Sequence, residues 1–107
     1  MEQFKSFFDR VSVGDIIGGA LHYSMLSSAV FFRVVEKKGK ATLICDQLSS
    51  IVSYVGVDTK VITCNESRIL EKGIKIRCGK YSARYDDYYT LRILDPDRRE
   101  YVGSAFD

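Results

Sequence analysis

The stretch "VFFRVVEKKGKATLI", Val30 to Ile44, limits what this chain can fold into more than any other part of it. Val30, Phe32 and Val34 alternate with Phe31, Arg33 and Val35, and a period of two puts successive side chains on opposite faces of a strand. The alternation resumes beyond Gly39, where Ala41, Leu43 and Cys45 interleave with Thr42, Ile44 and Asp46. Gly39 adopts the positive φ of a short hairpin loop without steric penalty. The stretch therefore predicts a β-hairpin. Both of its faces carry apolar residues, which suits strands enclosed in a small barrel or sandwich better than a half-wet sheet. Lys37, Lys38 and Lys40 fall at the tip, where lysine commonly stays solvated and deters edge-to-edge pairing. Phosphate binding is the competing use of such a basic turn.

The same pattern predicts further strands. Val13 to Ile17 reads as a first strand, broken by Gly18-Gly19, and "GGALHYSMLSSA" reads as a loop into the hairpin. Lys60 to Cys64 is a short strand, and Ile74, Ile76 and Cys78 alternate with Lys75 and Arg77 in another. Tyr89, Leu91 and Ile93 form the inner phase of a further strand. Asp95-Pro96-Asp97-Arg98 is turn chemistry, and Tyr101 to Phe106 returns as a closing strand. Phe4, Phe7, Phe8 and Val11 are spaced as one face of a short helix, predicted over residues 2–11 and docked by its phenylalanines. Five to seven short strands over residues 13–106 indicate a mainly β barrel or sandwich. The chain of 107 residues reads as one domain. Phe32, Val34, Leu43, Ile74, Ile76, Leu91 and Ile93 form its expected core.

Composition narrows the classes of function. The hydrophobic share of 46% against 28% charged residues is that of a folding domain rather than a disordered one. No apolar run is long enough for a transmembrane helix, and charges in "MEQFKSFFDR" interrupt any signal-peptide core, so a cytosolic protein with no membrane partner is expected. Cys45, Cys64 and Cys78 include no C-x-x-C pair, and His22 is the sole histidine. Unpaired thiols and no metal or other cofactor are therefore expected. No nucleophile elbow, P-loop or dinucleotide fingerprint occurs, and the acid pairs Asp86-Asp87 and Asp95-x-Asp97 lack the calcium-loop pattern. The expectation is a protein without enzymatic activity.

The net charge of +2 is unevenly distributed. From Lys60 to Arg84, seven basic residues face two acids, 7 − 2 = +5; from Tyr85 to Asp107, three basic residues face six acids, 3 − 6 = −3. Two candidate surfaces follow. Lys75, Arg77, Lys80 and Arg84 would hold the phosphates of a nucleic acid while neighbouring tyrosines stack on bases. Alternatively, Tyr81, Arg84, Tyr85, Asp86, Asp87, Tyr88 and Arg92 would contact a protein, since tyrosine and arginine dominate interface hot spots.

"VGDII", a loop containing Tyr23, the Lys-rich hairpin and the closing "YYTLRILDPDRREYVGSAF" together resemble a group of small phage and mobile-element proteins. The resemblance implies a small Src-homology-3-like barrel and no defined activity. Where those proteins have Trp-Gly-Tyr in the loop and a Phe-Tyr pair in the strand, this chain has Leu21-His22-Tyr23 and Phe31-Phe32, so no binding site carries over. Small phage proteins without catalytic residues often act by occupying a host protein. By that analogy the expected function is inhibition of a host defence protein, as an anti-CRISPR does, ahead of nucleic-acid binding.

Overall fold

The computed structural model describes residues 5–23 and 25–105. Among these, one helix, α1 (Phe7–Arg10), precedes seven strands: β1 (Ile16–Tyr23), β2 (Met25–Lys38), β3 (Thr42–Val55), β4 (Thr59–Arg77), β5 (Ala83–Tyr85), β6 (Tyr89–Ile93) and β7 (Glu100–Ser104). They form one antiparallel sheet in the order β5-β6-β1-β2-β3-β4-β7.

The expected hairpin is present. Lys38 pairs with Thr42 across a turn in which Gly39 has φ 64°, the left-handed value that the turn requires. The Asp95 turn is present too, closed by the Arg98 amide donating to the Asp95 carbonyl at 2.9 Å.

The mainly β class holds, but the sheet does not close into a barrel. Among the described residues, the ladder pairing between β5 and the end of β4 is an isolated bridge between Cys78 and Ala83. The reason is strand allocation. β4 spends its length pairing with β3 and, at its start, with β7, while β5 offers only three residues to receive it. Register shifts in β1, β2 and β3 instead let the long strands bend and curl over themselves.

Curling buries both faces of the central strands, in two clusters. Phe7, Val11, Ile17, Phe32, Val34, Leu43, Cys45, Ile76, Ala83 and Leu91 fill one side. Ile16, Leu26, Phe31, Leu48, Ile62 and Cys64 fill the other. Adjacent residues thus serve opposite cores: Ile16 and Phe31 in one, Ile17 and Phe32 in the other. The doubly apolar hairpin has its explanation here. Of the expected core, Ile74 and Ile93 are only half-buried at the rim of the first cluster.

Three expectations are corrected. The "GGALHYSMLSSA" segment is not a loop but most of a second hairpin, β1–β2, with Gly18 and Gly19 inside the strand. Lys60–Cys64 and Ile74–Arg77 are not separate strands but two ends of the single 19-residue β4. The helix covers only Phe7–Arg10, capped by the Ser6 hydroxyl accepting from the Asp9 amide at 3.2 Å; Phe4, like Phe106, lies outside the described residues.

Candidate partner-binding surface

Alternation along β4, β5 and β6 decides which candidate side chains reach solvent. Ile76 and Ala83 point into the first core, as does Leu91. Lys75, Arg77, Arg84 and Arg92, one residue out of phase, therefore lie on the outer face, and all four are exposed. The antiparallel bridge of Cys78 with Ala83 sets Arg77 beside Arg84. β2 and β3 extend this row, since Lys38 pairs with Thr42 and Thr42 with Arg77. Among the described residues the ion pairs are those of Glu66 with Arg33 and Arg99, at 3.5 and 2.7 Å, so no carboxylate neutralises the row. Lys80 lies apart from it, on the Gly79–Ser82 turn, with its ammonium 5.5 Å from the Tyr81 ring.

The tyrosine surface is divided. Tyr81 and Tyr88 are 62% and 67% exposed. Tyr85 turns inward, its ring centroid 4.8 Å from that of Phe32 and 6.2 Å from that of Tyr89, whose hydroxyl lies 2.7 Å from the Ser28 hydroxyl. Tyr85 therefore belongs to the rim of the core rather than to a free surface. Asp86 shapes the β5–β6 turn: it has φ 41°, and its carboxylate accepts the Tyr88 amide at 3.0 Å. Asp87 beside it is exposed.

The lysine tip is also divided. Lys38 and Lys40 are exposed, whereas Lys37 is half-buried. Its ammonium donates to the Val11 carbonyl at 2.9 Å and sits 4.6 Å from the Phe8 ring centroid, pinning the segment after α1. The β-bulge after Val34 turns it inward, and no sequence signal marked that bulge.

The three cysteines are unpaired. Burial pushes the Cys45 thiol up to about 12, with Cys78 and Asp46 adding to the effect. Cys64 rises to about 11, chiefly through burial and then through Glu66, against the opposing pull of Arg99 and Arg33. Such thiols hold their protons and are poor nucleophiles. Among the described residues no group of three metal-ligating side chains converges, and no helix is long and apolar enough to cross a membrane.

Two features escaped the sequence reading. Glu66 joins Arg33 of β2 to Arg99 ahead of β7, a junction between residues 33 positions apart on either side. The outward row that unites Lys38 with Arg77 and Arg84 depends on strand order, which local patterning does not encode. No protein-family model matches the chain, and comparison with curated proteins and with solved structures gives no match either.

Proposed function

We propose that this chain is a non-enzymatic nucleic-acid-binding protein that holds phosphates on the outer face of β4, β5 and β6. One observation carries the reading: Arg77 and Arg84 stand side by side, with Lys75, Lys38 and Arg92 on the same face and no ion pair occupying them among the described residues. Clustered cations without carboxylate partners are what a phosphate backbone neutralises, and Tyr81 and Tyr88, exposed in the turns before and after β5, offer rings for base stacking. The test is anisotropy of a labelled single strand titrated across salt. Log affinity should fall linearly with log salt, by roughly 0.7 per phosphate engaged, hence on the order of 2 for three cations. Lys75→Ala/Arg77→Ala/Arg84→Ala should abolish binding while leaving the melt intact, since all three side chains are exposed. Absence of binding at low salt sinks the proposal.

The expected protein-partner surface is the second reading, in which the chain occupies a host defence protein. Its support is the exposure of Tyr81 and Tyr88 beside Arg84 and Arg92, with Asp86 and Asp87 able to answer basic groups on a nucleic-acid-binding target. A single strand that fails to bind, together with a partner captured from lysate and lost on Tyr88→Ala, would favour this reading over the first. The curl of β1–β4 and the return of β5 to the Cys78–Ala83 bridge are the features that favour kinship with Src-homology-3-like folds within this reading.

A further inference from the structure

Beyond the Phe31–Leu48 pair the sheet splits. β2 continues with β1 alone, and β3 with β4 alone, so each acquires an edge inside the sheet. The two edges are treated differently. On β2, Leu26 is buried and the Lys60 ammonium donates to the Ser27 carbonyl at 3.2 Å. On β3 and the turn after it, residues 50–58 are all exposed, and among the described residues Ser49–Val55 pairs only with β4.

This edge lacks the devices that usually keep an edge strand solitary. From Gln47 to Val57 there is no charged residue and no proline, whereas lysine, inward charge and proline are the common safeguards. The other two edges are short: β5 has three residues, including Arg84, and β7 has five, including Glu100. Five of the twelve exposed large hydrophobics among the described residues fall on this edge and the turn after it: Ile51, Val52, Tyr54, Val55 and Val57, between 48% and 86% exposed.

Charge selects the occupant. A contact about a two-fold axis brings a strand against its own sequence, so any charge near the axis meets its like. A run without charges is free of that penalty, while a charged partner finds no countercharge along it. Pairing about Val52 would set Ile51 against Ser53 on one face, and Ser50 against Tyr54 and Val52 against itself on the other, with no like charges opposed. We propose that Ser49–Val55 of β3 is a homodimerisation edge, at which two copies of this chain join their sheets antiparallel around Val52.

The experiment is sedimentation equilibrium of the full chain without nucleic acid, which keeps it independent of the phosphate-binding reading. The wild type should show twice the chain's 12.2 kDa, dissociating on dilution. Val52→Lys puts two ammonium groups at the axis and should return the mass to that of one chain, which should still unfold cooperatively because Val52 is exposed, at a midpoint that no longer depends on protein concentration. Val13→Lys, an exposed position in the turn before β1, should remain dimeric. If Val52→Lys fails to fold, Ser53→Lys takes its place with the same expectation. A wild type that stays monomeric at its highest soluble concentration overturns the proposal, as does a folded edge variant that stays dimeric.

Discussion

At Gly19 a methyl group would stand 2.5 Å from the Thr90 carbonyl oxygen and 3.3 Å from Leu91. β6 crosses β1 so closely there that only a residue without a side chain fits. Gly18-Gly19 reads in sequence as a strand break, but the same atoms that remove a side chain also permit close approach. Gly19→Ala should therefore destabilise the protein by about 1–3 kcal/mol, the usual penalty of overpacking, measured by urea unfolding. A neutral result would mean that β6 can move away freely. Lys37 teaches a similar lesson. The sequence predicts a solvated tip for it, whereas its bond to the Val11 carbonyl depends on a bulge that pattern alone does not reveal.

Among the elements, α1 is the smallest and the most dependent on its surroundings. Four residues are too few for a helix to persist by itself. It is held because Phe7 and Val11 are each 1% exposed in the first core and the Phe7 amide donates to the Lys80 carbonyl at 2.9 Å. Phe7→Ala should cost about 3–5 kcal/mol, as large-to-small changes in cores do, read as a lower denaturant midpoint at constant slope. Phe8→Ala should cost less, because Phe8 only packs against that core from its rim. The i, i+4 spacing of Phe7 and Val11 identified this docking correctly, although the helix is shorter than the spacing predicted. β4 shows the reverse difficulty. It carries five more residues than β3 over the same pairing, 19 − 14 = 5, so its middle lacks clean alternation and reads as a gap between two strands.

For the whole molecule, the two cores imply a sensitivity to alkali. Cys45 and Tyr101 are held at about 12 and Cys64 at about 11, in each case chiefly by burial. Each group stays protonated in the folded protein while the unfolded chain releases its proton near the ordinary value, 9.0 for the thiols and 10.0 for the phenol. The stabilising difference is whole below those values and is lost as pH rises toward the folded ones. The melting temperature should thus be flat up to about pH 8 and fall above about pH 9, and Cys45→Ala/Cys64→Ala should make that fall shallower. An equal fall in wild type and variant would show that the thiols do not carry it. The extents of 46 × 33 × 27 Å belong to an elongated body, whose β3–β4 arm leaves an edge bare. By itself the sequence determined the β class, the hairpin at Gly39, the Asp95 turn and most of the first core, because strand alternation and turn chemistry act over a few neighbouring residues. Only the tertiary structure decided that the sheet curls without closing, that Tyr85 faces inward, and that Lys38, Arg77 and Arg84 share one face. Those outcomes depend on which strands lie side by side and where a bulge shifts the register, and both are settled by contacts between residues far apart in the chain.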